Sequence, residues 1–184
     1  MARVTTTGLL LAAGGGRRMG RPKALVEGWL VHAVESLAGC DAVVVVLGAA
    51  ADDARPLLHP YDVTVVVNPE WEQGMGSSLD LGLGHLAHGD SSRCLVTLVD
   101  LPDVGRDVVD RLLAQPDEPA LLARAAYDGR GGHPVLLGRD HWAGVREGAQ
   151  GDQGARAYLS GHDVTPVECG DLATGTDVDT PPGR

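Results

Sequence analysis

Residues 9–23 read LLLAAGGGRRMGRPK, and the fold follows from that order. The apolar run Leu9–Ala13 is the end of a buried strand, and it breaks into three consecutive glycines, Gly14, Gly15 and Gly16. Glycine permits positive φ and close backbone approach, so successive N–H groups can turn toward an anion. Arg17, Arg18, Arg21 and Lys23 come next. Such cations neutralise phosphate, arginine as a planar fork and lysine as a point charge. A strand feeding this loop is the phosphate cradle of an α/β protein.

Neither of the two commonest glycine loops fits. A Walker loop needs G-x-x-x-x-G-K-[ST], but Lys23 is preceded by Pro22 and followed by Ala24. The dinucleotide fingerprint G-x-G-x-x-G can start at Gly14 and Gly16, yet its last position is Met19, and no acidic residue sits at the right distance after a second strand. Lys23 is the only lysine; every other cation among the 15 Lys and Arg residues is arginine. A compact, strongly hydrated ammonium kept at this one position fits a role between phosphate oxygens.

Outward from the loop, strand and helix patterns alternate, which predicts a mostly parallel sheet covered on both faces, a three-layer α/β/α sandwich. Strands are expected at Thr6–Ala12, Ala42–Leu47, Val63–Val67, Cys94–Val99, Ala120–Ala125, Pro134–Leu137 and Val164–Glu168. Of these AVVVVL (42–47) is a continuous apolar run of the kind buried on both sheet faces, and CLVTLV (94–99) reads as another buried strand. Helical spacing covers Trp29–Leu37, Ala51–Leu58 (limited by Pro56), a segment from about Ser77 to His88, Asp107–Leu113, Arg139–Val145 and Gly154–Leu159. Asp128–Gly132 is expected to join two of the strands as a glycine-rich connection.

The 184 residues are expected to form one domain, 1–184. The net charge of −10 argues against a nucleic-acid partner, which demands a basic face, but leaves room for a mononucleotide met by a local basic loop and a divalent cation. Cys40, Cys94 and Cys169 form no C-x-x-C pair and no disulfide framework, which fits a reducing cytoplasm. The N-terminus lacks a signal pattern, and no stretch approaches the ~18 apolar residues of a membrane span. His85 and His88 have no third ligand near them in sequence and read as a solvated helix face.

Leu11, Ala12, Ala13, Gly14, Arg18, Met19, Gly20 and Lys23 match L-A-A-G-x-x-x-R-M-G-x-x-K. That signature resembles the nucleotidyltransferases that join a nucleoside monophosphate to a phosphorylated acceptor. The resemblance implies a Rossmann-like fold of the nucleotide-diphospho-sugar transferase type. It also implies a Mg²⁺-dependent enzyme in which Leu11–Gly16, Arg18 and Lys23 bind the triphosphate. Asp100-Leu101-Pro102 matches the family's D-x-P, whose carboxylate binds the catalytic Mg²⁺. Asp177-Val178-Asp179-Thr180-Pro181 resembles its D-[IV]-D-T-P, with Asp179 favoured over Asp177 as the second ligand. Arg18, Lys23 and Asp100 are the expected catalytic residues.

Three further segments resemble the branch that acts on molybdopterin. Asn68-Pro69 with Gly74-Met75-Gly76-Ser77-Ser78-Leu79 resembles N-P…G-M-x-x-S-L, placing Asn68, Gly74, Ser77 and Ser78 on the nucleotide. Gly132-His133-Pro134-Val135-Leu136-Leu137 and Gly151-Asp152-Gln153-Gly154-Ala155-Arg156 resemble G-[HN]-P-V-L-[FL] and G-D-x-G-A-R, placing His133, Pro134, Asp152 and Arg156 at the acceptor. The sequence departs from the family after Lys23, where P-L-x-G-x-P-L is compressed to Ala24–Leu30 without proline, and at Pro182-Gly183-Arg184, where the family continues with acidic residues and a helix.

The expected reaction is transfer of CMP from CTP to the phosphate of molybdopterin or its molybdenum form, with release of pyrophosphate. The alternatives are GTP or another phosphorylated acceptor on the same fold, or a non-catalytic nucleotide-binding chaperone. A molybdenum hydroxylase or its chaperone is the expected protein partner, with no membrane contact.

Overall fold

Strand β1 (Thr6–Ala12) is buried along its whole length and has a parallel neighbour on each side. The computed structural model describes residues 5–181; Pro182-Gly183-Arg184 lie outside them. In chain order the regular elements are β1, α1 (Trp29–Ser36), β2 (Ala42–Leu47), α2 (Ala51–Ala54), β3 (Thr64–Val67), α3 (Met75–Ala87) and β4 (Arg93–Leu98). They continue with α4 (Arg106–Leu113), β5 (Leu122–Tyr127), β6 (Arg130–Gly138), α5 (Trp142–Gly148), α6 (Arg156–Ser160) and β7 (Thr165–Glu168). The strands form one seven-stranded sheet in the order β3-β2-β1-β4-β6-β5-β7. β6 runs antiparallel to both its neighbours, and every other pairing is parallel.

Because side chains alternate along a strand, each strand feeds two cores. Leu10, Val45, Leu95 and Leu136 pack with Leu30 of α1, Leu37 just past its end, and Val108 and Leu112 of α4. Leu9, Leu11, Val44, Val46 and Val96 pack on the other face with Leu79, Leu83 and Leu86 of α3 and with Trp142 and Val145 of α5. The result is the expected three-layer α/β/α sandwich with a mostly parallel sheet. Among the described residues no helix is long and apolar enough to cross a membrane.

Several element boundaries differ from the sequence reading, among them the start of β5 at Leu122 and of α6 at Arg156. Strand β4 begins one residue early, at Arg93, whose buried guanidinium is satisfied by Thr6 Oγ1 and by the carbonyls of Gln115 and Pro116. The β5–β6 connection is a tight turn at Asp128 and Gly129, both at positive φ, so Gly131 and Gly132 lie within β6 instead of a loop. At Pro56 the second helical segment changes from α2 to a 3-10 turn over Arg55–Leu58. Helix α3 starts at Met75, and Ser77 therefore lies in its first turn, its hydroxyl donating to Gly74 O at 2.8 Å. His85 and His88 are exposed.

Candidate active site

The strand order reverses between β1 and β4, and open α/β sheets bind ligands in the crevice at such a switch point. Leu11 of β1 pairs with Leu98 of β4, and the Val99 N–H donates to Leu11 O at 3.2 Å. The segments leaving these strands, Gly14–Gly16 and Asp100, therefore emerge side by side on the same rim.

The loop after β1 is held by its own backbone. Gly16 sits at φ +61°, and a Cβ there would lie 1.9 Å from the carbonyl oxygen of Arg21, so glycine is required. The Gly20 N–H closes the loop onto Gly16 O at 2.9 Å. Pro22 then leads into a 3-10 turn, Lys23–Leu25, which carries the lysine back over the sheet. The indole of Trp71 packs against Gly15, leaving no room for a side chain there.

The C-terminal segment crosses the same rim. Asp103 accepts hydrogen bonds from the Thr174 N–H and Oγ1 at 2.7 and 2.6 Å. Gly175, at φ +63°, lies flat on the ring of Tyr127, and the Val178 N–H donates to Asp100 O at 3.0 Å. These anchors bring Asp177 and Asp179 to Asp100, with one carboxylate oxygen from each of the three within 4.8 Å of the others.

Lys23 binds this cluster directly. Its Nζ lies 2.5 Å from Asp100 Oδ2 and 2.6 Å from Asp179 Oδ1, and Arg18 Nη2 lies 2.9 Å from Asp179 Oδ2. Burial pulls the Lys23 pKa down, but the hydrogen bonds and charges of Asp100 and Asp179 outweigh it and the pKa is raised. The hydrogen bond from Lys23, with the charges of Lys23 and Arg18, holds Asp179 below the usual carboxylate range against the opposing effect of desolvation. Asp100 Oδ1 is buried and has no hydrogen-bond partner among the described residues. Such an atom is costly unless something else satisfies it. Three convergent carboxylates with one orphaned buried oxygen fit a hard divalent cation, which takes oxygen ligands.

A cavity of about 370 Å³ opens between the glycine loop and the start of α3. Residues 11–16, Arg18, Lys23, Gly74, Ser78, Asp100, Asp152 and Asp179 line it. The sequence reading therefore converges here from five separate segments. Asp152, expected at the acceptor, lines the same cavity, with its carboxylate against Gly74.

Asn68 and Ser77 line an adjacent cleft and not this cavity. The buried Asn68 amide donates to Ser77 Oγ and Ser78 Oγ at 2.9 Å each and accepts from the Glu70 N–H at 2.9 Å. It braces the start of α3. His133, Pro134 and Arg156 lie outside the cavity lining. Pro134 is buried within β6, and the charge of Asp177 acts on the His133 ring.

The model of the MobA-like NTP transferase domain matches residues 8–166. The chain belongs to this family. Two MobA-like relatives are informative. A nicotine blue oxidoreductase of Paenarthrobacter nicotinovorans is 40% identical over 95% of this chain and 92% of its own length. A molybdenum cofactor guanylyltransferase of Rhizobium johnstonii is 33% identical over 87% of this chain and 77% of its own. Among solved structures, Rv0371c from Mycobacterium tuberculosis superposes with a TM-score of 0.76 at 27% identity, covering 98% of this chain and 95% of that one. This MobA-like chain thus has the fold of a nucleotidyltransferase.

Sequence reasoning passed over Trp71, Glu72 and Met75, which also line the cavity. Residues 70–79 read EWEQGMGSSL, and the aromatic Trp71 next to a glycine-rich helix start was the available signal. Asp177 was weighed against Asp179; the tail brings both to Asp100.

Proposed function

We propose that this chain transfers a nucleoside monophosphate from a nucleoside triphosphate to the phosphate of a molybdopterin-type acceptor, releasing pyrophosphate. The observation that carries the reading is the meeting of Lys23 and Arg18 with Asp100 and Asp179 at the mouth of the glycine loop. The acceptor phosphate oxygen attacks the α-phosphorus, the α–β bond breaks, and the electron pair leaves with pyrophosphate. An acceptor phosphate is already ionised at neutral pH, so no general base is required. Catalysis then rests on positioning and on neutralising charge.

The backbone of Gly14–Gly16 takes the triphosphate oxygens, and Arg18 and Lys23 hold the β- and γ-phosphates. Asp100, with Asp179 and Asp177, would hold Mg²⁺, which when bound supplies Lewis-acid neutralisation at the phosphates. Ser78 and Gly74, at the start of α3, face the nucleoside side of the cavity.

The nucleotide expected from sequence was CTP. The relative from Rhizobium johnstonii is named a guanylyltransferase, which favours GTP over CTP for this chain. Pyrophosphate release measured with GTP, CTP and ATP, each with molybdopterin and Mg²⁺, tests both points. GTP is expected to turn over fastest, and no pyrophosphate with any nucleotide would overturn the transferase reading.

The relative from Paenarthrobacter nicotinovorans is named an oxidoreductase, and a second reading would give the glycine loop the diphosphate of a redox dinucleotide such as NADH or NADPH. The structure gives that reading less support. β2 ends at Leu47 and is followed by Gly48, Ala49, Ala50 and Ala51, so no carboxylate stands there to bind a ribose hydroxyl. Oxidation of NADH or NADPH by the purified protein, followed at the nicotinamide absorbance, separates the two.

A further inference from the structure

The Lys23 ammonium sits on the very oxygens that a divalent cation needs. Its Nζ donates to Asp100 Oδ2 at 2.5 Å and to Asp179 Oδ1 at 2.6 Å. Arg18 Nη2 takes the second oxygen of Asp179 at 2.9 Å. Of the oxygens on these two carboxylates, Asp100 Oδ1 alone has no partner among the described residues, and it is buried. A hard dication takes carboxylate oxygens, and an ammonium on the same oxygens both blocks and repels it. The observed pairing and metal binding by Asp100 and Asp179 are therefore alternatives.

The surroundings allow the exchange. The Lys23 backbone is fixed in its 3-10 turn, with the Leu25 N–H donating to Pro22 O at 3.0 Å and the Val26 N–H to Lys23 O at 3.1 Å. The side chain beyond it is a flexible four-carbon stem ending in a point charge, and it lines the same cavity as Gly14–Gly16. The carboxylates are held without it. The Val178 N–H donates to Asp100 O at 3.0 Å, and the Thr174 N–H to Asp103 Oδ2 at 2.7 Å. The Lys23 and Asp100 side chains are only 17% and 12% exposed, so charge competition between them is weakly screened.

We propose that Lys23 is a displaceable counter-ion: without substrate it occupies the cation position of the Asp100–Asp179 pair, and an arriving triphosphate draws the ammonium onto its own oxygens and opens the pair to the divalent cation. This rests on the transferase reading and adds a coupling to it. Metal alone is kept out, and by linkage the triphosphate and the metal each raise the affinity for the other.

The test reads the metal and the lysine without turnover. Mn²⁺ alone is titrated into the full chain and followed by the electron paramagnetic resonance of the free ion. Lys23→Met keeps the stem and removes the charge, and it is expected to bind Mn²⁺ about 10- to 100-fold tighter than the wild type. Lys23→Arg keeps the charge and should bind no tighter. Arg17 belongs to the same loop and makes no ion pair with the cluster among the described residues. Arg17→Gln should stay within about 3-fold of the wild type, since an exposed charge is screened.

Lys23 is the only lysine, so a wild-type chain carrying lysine labelled with ¹³C at Cε gives one resonance that reports this ammonium. The α,β-methylene analogue of GTP or CTP, which resists cleavage between those phosphates, is expected with Mg²⁺ to move the resonance. Mg²⁺ alone should leave it in place. A Lys23→Met chain that binds Mn²⁺ no tighter than the wild type, at an unchanged melting temperature, overturns the proposal. So does a resonance that stays fixed while an analogue binds, and this measurement decides alone if Lys23→Met does not fold. Equal tightening in Arg17→Gln makes the effect one of net charge and overturns the displacement. Pyrophosphate release by the wild type alongside any of these results leaves the transferase reading intact. Tighter Mn²⁺ binding in Lys23→Met, with no pyrophosphate from the wild type on any nucleotide, upholds Lys23 as the counter-ion and overturns the transferase reading instead.

Discussion

Lys23 and Asp100 are 77 positions apart in sequence and 2.5 Å apart in space, Nζ to Oδ2. That contact closes the distance between the loop after β1 and the end of β4, and Asp179 completes it from the C-terminal segment at 2.6 Å. One ammonium therefore reads the position of two carboxylates at once. Removing either partner leaves the other charge largely buried and poorly satisfied.

Asp100→Ala is expected to reduce pyrophosphate release by at least ~10²-fold, the scale of losing one electrostatic contact at a phosphoryl-transfer centre. Lys23→Ala should act mainly on the nucleotide, raising the KM for the triphosphate more than it lowers kcat. Steady-state kinetics at saturating acceptor check both, and wild-type turnover in Asp100→Ala removes the mechanism.

Gly16→Ala forces a side chain into a left-handed backbone at φ +61° and against the Arg21 carbonyl. The loop must open to accept it, at a cost of about 1–3 kcal/mol. Calorimetric titration should show triphosphate binding weakened at least 10-fold. Gly148→Ala is the control: nothing lies within 4 Å of its Cβ position, and its binding should be unchanged.

Asn68→Ala strips partners from the buried Ser78 hydroxyl and from the Glu70 N–H. Unmade hydrogen bonds to buried groups cost about 1–3 kcal/mol, so the urea midpoint should fall. Nucleotide affinity should fall with it, because Ser78 lines the cavity at the start of α3. A variant with wild-type affinity would make Asn68 purely structural.

His133 gives the fold a pH dependence of defined sign. Its folded pKa is depressed to about 4 by burial, Arg124 and Arg156, against Asp177, from an ordinary value near 6.5. Between these values the unfolded chain binds the proton and the folded chain does not. Stability is therefore full above about pH 6.5 and falls as the pH drops toward 4, by up to about 1.4 kcal/mol per pH unit. Urea unfolding of His133→Asn from pH 7 to 4.5 should show a shallower decline than the wild type. Parallel declines would show that the imidazole does not titrate in this way.

Gly175→Ala places a Cβ 2.0 Å from the Tyr127 ring at a positive-φ position. The segment carrying Asp177 and Asp179 must lift from the Tyr127 ring. Turnover should fall at least 10-fold with a melting temperature within a few degrees of wild type. A large drop in melting temperature would instead make this segment part of the core.

Sequence alone determined what local order can encode. The largely apolar runs of β1, β2 and β4 identify buried strands, and LAAGGGRRMGRPK reads as a phosphate loop by its glycines and cations. Tertiary structure decided what depends on residues far apart. It brought Asp177 beside Asp100 together with Asp179, spent the Asn68 amide on serines, set Asp152 against Gly74, and laid the Arg124 guanidinium over Gly131. The physical reason is that strand register and side-chain alternation fix direction only once the neighbours are in place. A carboxylate or guanidinium carries no local mark of which partner the fold will bring to it.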